Sequence, residues 1–369
     1  MNRKIPYDQT LILVVLSLVG FGLVMVFSAS ATVSQDLYGS PSSIFLRQML
    51  ATLLGLLGLL AAMKIDYQSF SNRYVIYPLL ALAVGLLVLP HLMSDGEVAR
   101  WIRVGPMQFQ PSEFAKLAAI LFSAYYLSRS KTDLGSFSRG VLPSLGVTVL
   151  LAALVLAGRD LGTAACIALV FGLMLFLAGL PYRHIPILAL GGAAAFGALV
   201  LAEPYRMQRI INYLNPGSDP SGAGYQIRQS LIALGSGGLG GMGLADSKQK
   251  LYFLPEPHTD FIFAVIGEEL GLMGCLFLIG LFALFLWRGL SIALKADSRF
   301  GTYLGIGIVA MVVLQALINM SVVVQLLPTK GIPLPFISVG GSSMMVMLTA
   351  CGILLNISKH TRMGEAEEQ

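Results

Sequence analysis

The chain has 369 residues, 56% hydrophobic and 12% charged, with 24 basic and 19 acidic side chains and a formal net charge of +5. A mean hydropathy of +0.78, with charge at about half the usual share of roughly 25%, excludes a soluble domain, a disordered chain, a coiled coil, collagen and a disulfide scaffold. What remains is an all-α polytopic membrane protein, and its basic excess needs no nucleic acid, because membrane proteins gather Lys and Arg in their cytoplasmic loops.

A membrane-spanning helix needs about 20 mostly apolar residues. Ten such segments follow in chain order: 10–31, 44–63, 74–92, 112–127, 141–157, 161–180, 185–201, 261–287, 303–324 and 338–357. The first follows MNRKIPYDQ, which resembles a signal anchor without a clean cleavage site and is kept as a span. The connections fall into two alternating sets. One carries 13 basic residues in 63, the other 9 in 106, so the first set is expected to be cytoplasmic, with both termini inside. The whole of 1–369 reads as one integral-membrane domain with a short cytoplasmic tail at 358–369.

The long connection, 202–260, lies in the extracytoplasmic set. Tyr205–Leu214 and Tyr225–Leu234 carry apolar residues at helical spacing, with Arg and Gln between them, and are expected to be interfacial helices. The glycine-rich Gly235–Gly243 that follows lacks the Gly-Lys-Ser/Thr ending of a P-loop and reads as a hinge or lid. Cys166, Cys275 and Cys351 sit in apolar runs, without disulfide or metal spacing.

Charges that the bilayer should have excluded are the informative ones, since one at mid-membrane costs ~2.5–3.5 kcal/mol on insertion scales. Glu113 and Lys116 lie three apart at the start of the fourth helix, suited to a salt bridge or to a charged wall at a cavity mouth. Arg47 either snorkels to the headgroups or binds a lipid phosphate. Asp160 stands in a three-residue turn, where it is suited to cap the sixth helix. Asp260 opens the eighth helix beside Phe261 and Ile262. It is suited either to an N-cap or, with its pKa raised by desolvation, to a general base. His258 is a helper to it or a hydrogen-bonded boundary residue. Glu268 and Glu269 lie deeper, as packing partners or ion ligands. Three prolines and a glycine forbid regular helix over 327–338, where Lys330 is the only charge; this loop runs into Gly340, Gly341, Ser342 and Ser343. Irregular backbone at membrane depth must line a cavity or be buried in protein.

Five segments together resemble the SEDS family (shape, elongation, division and sporulation), which includes the FtsW and RodA proteins. They are QPSEFAK at 110–116, DLGT at 160–163, DPSGAGYQIRQSLIALGSGGLGGMG at 219–243, LPEPHTDFIFAVIGEELG at 254–271 and LLPTKGIPLPFISVGGSS at 326–343. The PTKG form at 328–331 is more similar to the FtsW branch. Arg159 replaces the family's usual proline, and Val339 a frequent tyrosine. The resemblance implies a peptidoglycan glycosyltransferase of the bacterial cytoplasmic membrane. It would polymerise lipid II at the outer face for septal wall synthesis, by attack of a GlcNAc 4-hydroxyl on MurNAc with inversion. It also implies Asp260 as the essential carboxylate, undecaprenyl pyrophosphate as leaving group, and a class B penicillin-binding protein and other divisome or elongasome membrane proteins as partners. A divalent cation (Mg2+ or Mn2+), held by Asp260, and the cations Arg47, Arg206, Arg209 and Lys330 would meet the pyrophosphate. The candidate substrate contacts are these four with Glu113, Lys116, Asp160, His258, Glu268 and Ser342. The alternatives are a lipid II flippase using Arg47, Glu113 and Lys116, or a non-catalytic scaffold for a division transpeptidase.

Overall fold

The computed structural model describes residues 7–93, 100–104, 107–129, 133–215, 222–251, 253–329 and 331–367. Lys330 lies outside them. Twelve α-helices account for most of these residues: α1 Gln9–Tyr38, α2 Ser43–Lys64, α3 Arg73–Met93, α4 Pro111–Leu127, α5 Leu142–Ala157, α6 Leu161–Leu177, α7 Ile185–Leu201, α8 Pro204–Leu214, α9 Ala223–Gly237, α10 Ile262–Leu294, α11 Arg299–Val323 and α12 Gly341–Glu367. A short antiparallel hairpin, β1 Ile102–Val104 and β2 Met107–Phe109, pairs Ile102 with Phe109 just ahead of α4. Among the described residues eight helical stretches are long and apolar enough to cross a membrane, and α6 is a shorter apolar helix. With backbone bonds closed inside each helix, such segments satisfy their polar groups without water.

The expected apolar segments match α2–α7 within a few residues, and the two helices expected in the long connection are present as α8 and α9. The ends differ elsewhere. α1 continues seven residues past the expected boundary, until Gly39 stops it in the left-handed region at φ 69°. α10 runs to Leu294, α11 begins at Arg299, and α12 continues to Glu367, through the expected tail. Hydropathy marks the bilayer, whereas a helix ends where a cap or a glycine ends it.

α11 and α12 form the centre, with 78% and 83% of their most apolar windows buried, against 11% for α7 at the rim. Glycines let α2 and α12 approach closely: a Cβ on Gly352 would lie 2.4 Å from the Leu59 carbonyl oxygen, the small-residue packing typical of membrane helices. At one end of the bundle Asp8 caps α1 at 2.9 Å and ties it to Arg288 of α10 and Ser358 of α12. The opposite end carries Asp160, Asp260, the hairpin and the loop 327–340.

That loop descends into the bundle. The Phe336 carbonyl oxygen packs against Gly22, near the middle of α1, so closely that a Cβ there would stand 2.2 Å away. The irregular backbone at this depth is buried in protein, as hydrocarbon requires.

Candidate functional site

Asp260 is the last but one residue before α10. Its backbone carbonyl accepts from the Asn319 side chain at 2.9 Å, and the same amide donates to the Ile332 carbonyl at 2.8 Å. One α11 side chain thus fixes both the entry to α10 and the buried loop. The Asp260 carboxyl lies against Gly331, where a Cβ would be 3.2 Å from its oxygen. Among the described residues that carboxyl accepts no hydrogen bond. Burial, reinforced by Glu256 and more weakly by Asp160, pushes its pKa up to about 7, with Arg209 pulling in the opposite direction. Desolvation disfavours the charged form, so the carboxyl titrates in the range where it can exchange protons at neutral pH.

The neighbours are polar and incompletely satisfied. Buried atoms without a hydrogen-bond partner among the described residues include Nδ1 of His258, Oδ1 of Asn319 and Oγ1 of Thr329. Orphaned buried groups of this kind are uncommon, and these three adjoin the Asp260 segment and the loop that faces it. Burial holds the His258 imidazole below its ordinary pKa, against the charge of Glu256, whose carboxylate is 4.0 Å from Nε2. Arg209, on α8, donates to the Thr329 carbonyl at 3.0 Å and stacks over Tyr205. With five N–H donors, its guanidinium retains donors for an anion.

The other expected site residues have partners of their own. Asp160 caps α6 through the Thr163 amide at 3.0 Å and also accepts from Thr163, Ser112 and Gln110 side chains. Glu113 and Lys116 form a buried pair at 2.9 Å, and Lys116 donates to Gln315 at 2.6 Å. Glu268 accepts from Ser247 and from the amides of Lys248 and Gln249, which makes it the anchor of the long connection. Glu269 accepts from Ser28 at 2.7 Å and pairs with Lys250 at 2.7 Å. Ser342 joins α12 to the hairpin, accepting from the Gln110 amide and donating to the Gln108 carbonyl. Arg47 is exposed and stacks on Tyr38, while Arg206 turns back to the Leu199 carbonyl at the end of α7. The structure therefore gathers Asp260, Asp160, His258 and Arg209 into one electrostatic environment and ties Arg206, Glu268 and Ser342 into the scaffold.

The glycine-rich 235–243 stretch is no free hinge. Gly271 breaks α10 at φ 64°, and the stretch bonds to the freed groups: Met242 and Gly243 donate to the Glu268 and Glu269 carbonyls, while Leu272 and Met273 donate to Gly238 and Leu239. Glycines are needed because the two backbones touch.

Sequence reasoning passed over Asn319, Gln315, Gln48 and Glu256. The first two carried a signal: two amides four residues apart on an apolar helix share one face. Gln48, in α2, accepts from the Gly340 amide at 3.1 Å and stabilises the buried loop from the other side.

A bundle of apolar helices around a buried irregular loop, with a raised-pKa carboxyl beside that loop, defines a polytopic membrane protein with a polar site at one end. The family model for the FtsW, RodA and SpoVE cell cycle proteins matches residues 8–363, and the chain belongs to that family, as an integral membrane protein. It is 42% identical to stage V sporulation protein E of Bacillus subtilis, over 98% of this chain and 99% of the relative. It is 43% identical to the probable peptidoglycan glycosyltransferase FtsW of Trichlorobacter lovleyi, over 96% and 94%. Among solved structures it resembles a chain of a peptidoglycan synthase complex that coordinates polymerization and crosslinking, with TM-score 0.79 and 27% identity over 97% and 99% of the two chains. It also resembles the rod shape determining protein RodA of Thermus thermophilus, with TM-score 0.69 and 27% identity over 95% and 96%.

Proposed function

We propose that this chain is a peptidoglycan glycosyltransferase that polymerises lipid II for septal wall synthesis, with Asp260 as general base. The observation that carries the reading is the carboxyl of Asp260, set against Gly331 of the buried loop, without a hydrogen bond among the described residues and with its pKa raised by burial to about 7. A base with a pKa near the working pH combines availability with driving force. The relatives named as glycosyltransferases support the chemistry. In the proposed topology α1–α7 and α10–α12 make ten crossings, both termini are cytoplasmic, and the Asp260 end with the 202–260 connection faces outward. The basic asymmetry of the connections supports that orientation.

In the proposed step, the GlcNAc 4-hydroxyl attacks the anomeric carbon of MurNAc from the face opposite the pyrophosphate. Its proton passes to the Asp260 carboxylate as the new C–O bond forms. The bond from the anomeric carbon to pyrophosphate breaks, and its electron pair leaves with undecaprenyl pyrophosphate, giving a β-1,4 link by inversion. Arg209 would meet the departing negative charge, and the orphaned atoms of His258, Asn319 and Thr329 would offer partners for sugar hydroxyls. Among the described residues no three His, Cys, Asp or Glu side chains come together to hold a metal. Asp260 would offer a single carboxylate to a Mg2+ or Mn2+ ion, whose chemistry would be to offset the charge of the pyrophosphate.

The closed Glu113–Lys116–Gln315 chain of contacts favours the enzyme over a flippase, because those charges face each other rather than a passing headgroup. We further propose a class B penicillin-binding protein as partner, supported by the likeness to a complex coordinating polymerization with crosslinking. The test is polymerisation of purified lipid II, with and without that partner. Asp260→Asn is expected to lose about 10²–10⁴-fold in rate. Wild-type glycan output from that variant would refute the assignment.

A further inference from the structure

At the bundle end opposite Asp260 an open cavity of about 550 Å3 lies among the starts of α3 and α11 and the end of α4. Arg73, Arg129 and Arg299 line it. They stand at three separate helix ends, and all three are exposed. Among the described residues none forms an ion pair with a carboxylate. The nearby acids are otherwise disposed: Asp66 caps the Gln68 amide and lies 3.9 Å from His360, and Asp297 is exposed beside Ser298. Arg73 donates to the Tyr74 hydroxyl at 2.8 Å, and Arg129 stacks over Tyr125. Aromatic contacts steer a guanidinium without neutralising it.

The cytoplasmic excess of basic residues accounts for the sign of this end. It does not account for three guanidiniums meeting at one concavity, nor for the choice of arginine at all three positions. Lys64, Lys295 and Lys359 belong to the same end of the chain's topology, yet none lines the cavity. The arginine fork matches phosphate oxygens in pairs, whereas lysine acts as a point charge.

Exposed tyrosines flank the cavity. Tyr74 and Tyr77, in the first two turns of α3, are 71% and 50% exposed, and Tyr77 packs edge-on against Tyr125 of the cavity wall at 6.2 Å. Exposed tyrosines at a helix end mark the membrane–water interface, where basic pockets between helices receive anionic headgroups.

We propose that this cavity binds the phosphate of an anionic phospholipid headgroup. Each guanidinium is expected to contribute roughly fivefold to the preference. The test uses the full chain in phosphatidylcholine nanodiscs carrying equal amounts of spin-labelled phosphatidylglycerol or spin-labelled phosphatidylcholine. The wild type should immobilise more phosphatidylglycerol. R299Q should lower that preference about fivefold, and the combined R73Q, R129Q and R299Q variant should abolish it with an unchanged melting temperature. A second arm compares the melting temperature in detergent with inorganic phosphate and with chloride at equal ionic strength. Stabilisation by phosphate without lipid preference overturns the lipid source and retains the phosphate site. Equal immobilisation of both lipids with no phosphate response overturns the proposal. So does a preference kept in full by R299Q, or by a triple variant that melts like the wild type.

Discussion

Three carboxyls lie within ten residues of each other and differ in almost everything but their chemistry. Glu268 and Glu269, inside α10, are each about 1% exposed, and their oxygens are held by Ser247, Ser28, Lys250 and backbone amides. Asp260, just before the helix, is partly buried, yet its carboxyl has no donor among the described residues. A buried carboxylate whose acceptors are all filled fixes its surroundings, and removing its partner strands a charge. A desolvated carboxyl without donors costs the fold stability when ionised and remains available to a substrate proton. Position in the sequence does not separate these cases, and partners do.

The largest expected effect is an exchange of phenotypes between the two regions. Asp260→Asn removes about 10²–10⁴-fold of polymerisation while the protein melts no lower. Glu269→Gln leaves Lys250 buried without its counter-charge and destabilises by about 3–5 kcal/mol, read as a fall in melting temperature. If Asp260→Asn unfolds the protein or Glu269→Gln melts normally, the contrast between the two carboxyls fails.

A smaller effect is expected at Asn319, which touches the Asp260 region only through backbone. Asn319→Leu removes two donors from buried carbonyls, about 1–3 kcal/mol for each group left unsatisfied. It should lower kcat, because the base is displaced, and raise KM as well, because the Asn319 Oδ1 offered to a sugar hydroxyl is lost. An unchanged kcat with normal stability would show that the amide does not position Asp260.

The division between what was legible and what was not follows from the same physics. Apolar length revealed the helices, and Arg with Gln at helical spacing revealed α8 and α9, because both signals are local. Asp160 as a cap and Asp260 as a desolvated carboxyl were also legible, from the residues beside them. The roles of Glu268 and Ser342 were not, since their partners lie 19 to 234 residues away. Nor was the packing of Gly235–Gly243 onto the break in α10: a glycine run looks the same whether it is free or pressed against another backbone. Asn319 carries no charge to mark it, although a neutral amide in an apolar helix is also a polar group that needs a partner.

A subtler effect tests the desolvation itself. The folded pKa of Asp260 lies near 7 and the ordinary value is 3.8. Between these values the folded state holds a proton that the unfolded state has released, so this residue's contribution to stability is lost as pH rises through 7. Asp260→Asn, neutral throughout, should therefore melt higher than the wild type at pH 8, and the gap should narrow toward pH 5. Parallel melting curves would mean that the carboxyl is solvated.

The most direct measurement of the central claim is the pH dependence of kcat/KM for lipid II polymerisation, in the wild type and in Glu256→Gln. The wild-type rate should rise as Asp260 ionises, with a midpoint near 7. Removing the Glu256 charge, which raises that pKa, should move the midpoint downward. A profile that is flat from pH 5 to 9, or a midpoint that stays fixed when Glu256 is neutralised, would contradict the assignment of Asp260 as the base.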